Sequence, residues 1–150
     1  MVRGEGPLSH KVQQLARGSG GTVQLLPRLD RDELIGLIRG ARFLVWPSEG
    51  YYETFGLVAA EAFSCGVPAL ASRIGVMQEI VADGRTGLHF SPGDADDLAV
   101  KVEWAWTHPS EMEEMGRLAR AEYEAKYTAE RNYRLLMEIY QRAIETYRRS

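Results

Sequence analysis

Two acidic side chains, Glu53 and Glu61, stand eight residues apart on either side of the start of a predicted helix. Carboxylates accept hydrogen bonds from hydroxyl groups, and the unpaired amides of a first helical turn attract phosphate. Gly56 lies between the two glutamates and has no side chain, so a ligand can approach the backbone there. A nucleotide sugar carries both hydroxyl groups and phosphates. Carboxylates that bind hydroxyls, placed around amides that bind phosphate, therefore predict a pocket for a nucleotide sugar.

The helix that positions Glu61 is predicted over residues 55–65, FGLVAAEAFSC, with Thr54 as its N-cap and Gly66 as its terminator. Glu61 is the only charge in this helix, and the helical period turns it toward a largely aliphatic, packed stripe. Such a carboxylate is costly to bury unless it is hydrogen-bonded, and ligand hydroxyls would supply the bonds. The alternative is structural: Glu61 pairs with an arginine and Glu53 is a solvated loop residue, as isolated glutamates usually are.

The surrounding sequence favours the pocket. Residues 46–99 resemble the C-terminal domain of the family 4 glycosyltransferases, GT-B enzymes that transfer sugars from nucleotide donors with retention of configuration. The paired-glutamate signature of that family, E-x7-E, is met by Glu53 and Glu61, with Pro-Ser before it and Cys-Gly-Val-Pro after it. The resemblance covers nearly the whole chain. It implies an α/β fold with a Rossmann-like, doubly wound parallel sheet, the C-terminal half of a GT-B fold.

The resemblance also implies roles for individual residues. Glu53 would be the catalytic residue that hydrogen-bonds and orients the transferred sugar, while Glu61 would accept hydrogen bonds from the ribose. Backbone amides at Phe55, Gly56 and Leu57 would hold the departing distal phosphate, and Arg28 and Leu29, after a predicted strand at 22–26, would present backbone to the base. The positions assigned to donor binding are Glu61, Phe55, Gly56, Leu57, Thr54, Ser48, Arg28 and Leu29. The donor would be a UDP- or GDP-linked sugar, with no metal and no cofactor.

By the same resemblance, residues 1–150 form a single, partial donor-binding domain, with terminal helices over about 110–149. The match begins at VRGEGPL, so the resemblance implies that this sequence lacks the first strand of the domain, with its diphosphate-clamping Arg and Lys, and the N-terminal acceptor domain. We therefore expect this polypeptide alone to transfer no sugar detectably. The unpaired sheet edge favours a homodimer or strand exchange, unless another chain supplies the missing part.

The last helix carries an apolar stripe that points to the same need for a partner. Its first half is expected to pack on the chain's own sheet, and the remainder to require another surface. The stripe consists of Tyr133, Leu136, Met137, Tyr140, Ile144 and Tyr147.

Composition narrows the class of protein. A chain of 150 residues with 45% hydrophobic residues suits one globular domain, and a net charge of −3 argues against a nucleic-acid partner. The single cysteine excludes an intrachain disulfide and a cysteine-rich metal site. The sequence shows no signal peptide and no apolar run of membrane-spanning length, so we predict a cytoplasmic protein.

Short apolar strands alternate with helices along the chain, which is typical of a parallel, doubly wound sheet. Strands are predicted at 22–26, 42–46, 67–71 and 88–90, and helices at 11–16, 30–39, 55–65, 76–81 and 94–106, followed by two more. The predicted helix caps are Asp30 with Glu33, Asp94, Ser110 with Glu113, and Thr128. Ligands of such sheets bind at the carboxyl ends of strands, which places loop 47–53 at the site.

Other motifs and functions carry less weight. Asp94-Ala95-Asp96 fits the D-x-D pattern of metal-dependent transferases of another fold, but helix capping explains Asp94 fully. No histidine has partners at a spacing that suits a hydrolytic triad. Two alternatives to an enzyme domain stay open: a non-catalytic nucleotide-sugar-binding module that pairs with another chain, and an inert remnant with a structural role only.

Overall fold

The computed structural model describes residues 1–3, 6–50 and 53–149. It divides into two compact units, Met1–Gly36 and Leu37–Ser150. The first unit contains β1 (Val2–Arg3), α1 (Ser9–Gly18) and β2 (Leu25–Leu26), and its two strands pair in parallel. Helix α2 (Arg31–Arg39) follows.

The predicted capping box at the start of α2 is confirmed. The Glu33 amide donates to Asp30 Oδ1 at 2.9 Å, and the Asp30 amide donates to Glu33 Oε2 at 3.0 Å. Each side chain thereby satisfies an amide that the helix itself leaves unpaired.

The second unit is built on a three-stranded parallel sheet in the order β3-β4-β5, so the expected parallel α/β architecture is confirmed. The strands and helices follow in the order β3 (Leu44–Trp46), α3 (Leu57–Ser64), β4 (Ala69–Ser72), α4 (Met77–Ile80), β5 (Gly87–Phe90), α5 (Ala95–Thr107), α6 (Pro109–Lys126) and α7 (Ala129–Arg149).

Both faces of this sheet are covered. Successive side chains of a strand point to opposite faces, so neighbouring residues of β4 pack into different clusters. Ala69 and Ala71 of β4 belong to a buried cluster with Phe63 of α3. Leu70, between them, belongs to a second cluster that includes Phe90 and Met115. The central strand β4 is therefore buried on both faces, and this packing fixes the position of its carboxyl end.

Helices α3 and α6 touch at a pair of glycines. A Cβ atom on Gly116 would lie 2.3 Å from the carbonyl oxygen of Gly66, so only glycine allows this approach. Gly66 itself has φ +72°, and the predicted termination of α3 at this residue is confirmed. The close contact fixes the C-terminal end of α3 against α6.

His89 ties the carboxyl end of the sheet to the segment after α4. Its ring is buried, with Nε2 2.7 Å from the Val81 carbonyl oxygen and Nδ1 3.2 Å from the Ala71 carbonyl oxygen. Its backbone amide donates to Asp83 Oδ1 at 2.8 Å. The ring therefore has a structural role in joining β4 and β5 to the α4–β5 loop.

Two expectations about the terminal helices are wrong. Helix α6 begins at Pro109 instead of at a Ser110 cap, because proline at the first helical position costs no hydrogen bond. The first half of α7 does not pack on the sheet: every described residue of α7 is exposed, and the six apolar residues of its stripe are 38–84% exposed. The cap at Thr128 is confirmed, since its hydroxyl accepts from the Arg131 amide at 3.2 Å.

Self-association through α7 or a sheet edge stays a prediction.

Over the described ranges, none of the helices combines the length and the hydropathy that crossing a membrane would require.

Candidate functional site

The carboxyl ends of β3, β4 and β5 meet at one edge of the sheet, and α3 begins beside them. The loop after β3 contains Ser48, whose hydroxyl donates to the Gly50 carbonyl at 2.9 Å and so holds the loop's own backbone. The neighbouring Glu49 approaches the loop after β5: its Cγ and Cδ lie 3.9 Å from where a side chain at Gly93 would begin. Tyr51 and Tyr52, which come next in the sequence, fall outside the described residues.

Glu53 holds the turn that leads into α3. Its Oε1 atom accepts a hydrogen bond from the Gly56 amide at 2.8 Å and another from the Phe55 amide at 3.1 Å. The prediction that Thr54 is the N-cap is wrong. Helix α3 starts at Leu57 with Gly56 as its N-cap, and no hydroxyl caps it. One oxygen of a carboxylate can accept hydrogen bonds from two amides while the second oxygen stays available to a ligand. A threonine side chain has only one oxygen and cannot do both.

Gly56 is placed by both its backbone and its surroundings. It has φ +63° and ψ 30°, the left-handed region that favours glycine. A Cβ atom on Gly56 would lie 2.2 Å from Ile80 Cδ1 and 3.5 Å from Val76 Cγ1, so the backbone packs directly against α4. The sequence predicted that a ligand approaches the backbone at this glycine. The neighbour found there is Ile80 of α4, and the ligand's approach stays a prediction.

This geometry changes which amides are available to an anion. Of the three amides assigned from the sequence, those of Phe55 and Gly56 already donate to Glu53. The amides of Leu57 and Val58, in the first turn of α3, have no acceptor among the residues that the structure describes. Val58 was missed because the helix starts two residues later than predicted. The sequence signal for the later helix start is a glutamate, Glu53, three residues before a glycine, Gly56, because its carboxylate can accept from the amides between them and the helix.

Glu61 is partly exposed on α3 instead of buried, so the expectation of a packed position is only half met. It lies four residues, about 6 Å along the helix axis, from Leu57 and on the same face. No hydrogen bond or ion pair to its carboxylate is found within residues 1–3, 6–50 and 53–149. The structural alternative, an arginine partner for Glu61, therefore receives no support from the described part of the chain.

The loop after β5 is anchored by a third carboxylate. The Ser91 amide donates to Asp97 Oδ2 at 2.7 Å and the Ser91 hydroxyl donates to the same oxygen at 2.9 Å. These bonds lower the pKa of the Asp97 carboxyl. The D-x-D pattern next to it is a cap, as predicted: Asp94 Oδ1 accepts from the amides of Asp96 and Asp97 at 3.1 and 2.9 Å. No cluster of His, Cys, Asp or Glu suited to a metal ion occurs in the described ranges.

Arg28 and Leu29 lie after β2 in the first unit, Arg28 exposed and Leu29 half-buried. Their assignment to the base stays a prediction.

Comparison with known proteins agrees with this parallel α/β fold. The family model for glycosyl transferases group 1 matches residues 1–122. The chain belongs to this family. It is 36% identical over 132 residues to the D-inositol 3-phosphate glycosyltransferase of Arthrobacter sp. (strain FB24), a match that covers 88% of this chain and 31% of that protein.

Solved structures of GT-B glycosyltransferases share the fold. Sucrose-phosphate synthase from Thermosynechococcus elongatus has a TM-score of 0.82 at 27% identity, covering 95% of this chain and 37% of that one. HepE from Anabaena, solved in complex with UDP, has a TM-score of 0.73 at 24% identity, covering 95% and 37%. This chain thus spans about a third of the length of each of these three proteins.

Proposed function

We propose that this chain is the donor-binding part of a retaining GT-B glycosyltransferase and binds a nucleoside-diphosphate sugar, UDP- or GDP-linked, at the start of α3. The observation that carries the proposal is the pair of first-turn amides, those of Leu57 and Val58, which have no acceptor among the described residues and lie between the carboxylates of Glu53 and Glu61. Family membership supports a transferase, and the fold shared with HepE in complex with UDP supports a nucleotide ligand.

The donor would lie along the exposed face of α3. The amides of Leu57 and Val58 would donate to the distal phosphate, where the helix dipole favours negative charge. Glu61, one turn further along, would accept hydrogen bonds from the ribose hydroxyls, which leaves room for the proximal phosphate between the two contacts. The second oxygen of Glu53, Oε2, would accept from hydroxyls of the transferred sugar.

The chemistry that such a site supports is stabilisation of a leaving group. As the bond between the anomeric carbon and the phosphate oxygen breaks, negative charge gathers on the phosphate, and preorganised amides stabilise that charge. Same-face attack forms the new bond from the acceptor oxygen to the anomeric carbon, and the leaving phosphate takes the acceptor's proton. Neither glutamate then acts as a nucleophile. The acceptor, the retention of configuration and the inactivity expected of the polypeptide alone stay predictions.

The test is calorimetric titration with UDP, GDP and the corresponding nucleotide sugars. We expect wild-type protein to bind one of these nucleotides and Glu61→Ala to lose that binding. Glu79→Ala is the matched control, since Glu79 is an exposed glutamate on α4, on a different helix from the proposed contacts. Equal binding by the wild type and Glu61→Ala would contradict the ribose contact, and no binding of any nucleotide at millimolar concentration would contradict the proposed function.

A further inference from the structure

We propose that Glu53 is a positioning residue as well as a ligand for the sugar. One oxygen of its carboxylate builds the entrance of α3, and only the other oxygen serves donor hydroxyls. The inference deepens the proposed function and rests on it for the ligand, but the positioning role concerns the protein without any ligand.

The two oxygens of Glu53 differ in what they contact. Oε1 accepts both the Phe55 and the Gly56 amide, whereas no partner for Oε2 is found among the described residues. The Glu53 side chain is half-buried and Gly56 is buried against Ile80, so the turn from Glu53 to Gly56 is held at both of its ends. The pair of bonds from Oε1 satisfies two amides that would otherwise be unpaired next to the helix.

The conformation of Gly56 decides the direction of the amides that follow it. Without the carboxylate, the Phe55 and Gly56 amides lose their acceptor and the turn before α3 loses its anchor. The Leu57 and Val58 amides would then no longer be fixed toward the position of the distal phosphate. Loss of Glu53 should therefore weaken binding of a nucleoside diphosphate that carries no sugar at all, which a residue that only orients the sugar would not do.

The chain itself contains an aspartate that makes the same pattern of bonds. Asp94 Oδ1 accepts from the amides two and three residues ahead, as Glu53 Oε1 does. Aspartate at position 53 is therefore able to cap the turn, while its shorter side chain withdraws the second oxygen from a ligand by one methylene group. The variants Glu53→Asp and Glu53→Ala separate the two roles: the first keeps the cap, and the second removes it.

The first measurement is thermal unfolding without ligand. We expect Glu53→Ala to lower Tm by about 2–4 °C, the shift that loss of a helix cap causes in a domain of this size. Glu53→Asp should stay within about 1 °C of wild type. Glu49→Ala is the matched control, because Glu49 is exposed in the same loop and has no hydrogen bond to a described residue; its Tm should not change.

The second measurement is calorimetric titration of the same variants with the nucleoside diphosphate and its sugar derivative. Glu53→Ala should bind the diphosphate about tenfold more weakly, as expected when one charge-assisted hydrogen bond is disordered. Glu53→Asp should bind the diphosphate like wild type but lose the additional affinity that the sugar provides.

Glu53→Ala protein that melts like wild type and binds the diphosphate with wild-type or higher affinity would overturn the proposal, because Glu53 would then compete with phosphate for the amides instead of shaping them. If wild-type protein binds no nucleotide, the proposed function fails. The melting temperatures of Glu53→Ala and Glu53→Asp then decide the positioning role by themselves.

Discussion

Replacing Gly56 by alanine tests the link between the start of α3 and the helix behind it. The residue has φ +63° and ψ 30°, and its Cα faces Ile80 Cδ1 so closely that an added Cβ would lie 2.2 Å from that atom. Alanine therefore meets two separate obstacles, a left-handed backbone and a side chain of α4. The two can be told apart because Cδ1 is the terminal atom of Ile80 and is absent from valine.

The magnitudes follow from these two obstacles. Holding a non-glycine residue in the left-handed region costs about 1–2 kcal/mol. Moving Ile80 aside, or leaving it overpacked, adds about 1–2 kcal/mol. We expect Gly56→Ala to reduce the free energy of unfolding by about 2–4 kcal/mol in total. In an Ile80→Val background, which itself costs about 1 kcal/mol, only the backbone part should remain.

Urea denaturation of the four proteins in this double-mutant cycle measures the coupling between the two positions. The double variant should be about 1–2 kcal/mol more stable than the sum of the single effects predicts, which is the part assigned to the Ile80 side chain. Gly84→Ala is a matched control, since Gly84 has φ +72° but no atom within 4 Å of an added Cβ, so it reports backbone strain alone. A Gly56→Ala penalty that is the same with isoleucine and with valine at position 80 would refute the reasoning.

Three further predictions concern the scaffold of the site. His89→Phe should cost about 1–3 kcal/mol in urea denaturation, because a phenyl ring cannot donate the hydrogen bond that the buried imidazole gives to a facing carbonyl oxygen, and an equal cost for exposed His10→Ala would contradict this. Gly116→Ala should destabilise by more than about 2 kcal/mol, since backbone stands in its way, while an alanine at Gly36, with open space around it inside α2, should stabilise by up to about 1 kcal/mol. Because the pKa of Asp97 is lower in the folded than in the unfolded chain, the stability that it contributes is complete above the unfolded value and is lost as the pH falls through the folded value. Asp97→Asn should therefore flatten the fall of Tm as the pH drops below the ordinary aspartate pKa of about 4, and an unchanged profile would contradict it.

The sequence by itself determined the family, the parallel α/β architecture and most helix caps. The caps at Asp30, Asp94 and Thr128 were predictable because each bond joins residues two or three apart, so the local sequence contains both partners. The glutamate pair was readable for a similar reason, since its spacing and neighbours lie within one short segment.

Only the tertiary structure decided how the two glutamates differ. Glu53 holds the turn before α3 through the amides of Phe55 and Gly56, and the left-handed Gly56 packs against Ile80 of α4, a contact between distant parts of the chain that no local pattern contains. Glu61 is partly exposed because packing, and not the helical period alone, sets how far each face of α3 is covered. Local hydrogen bonds are specified by neighbours in sequence, whereas burial is specified by which surfaces the folded chain brings together.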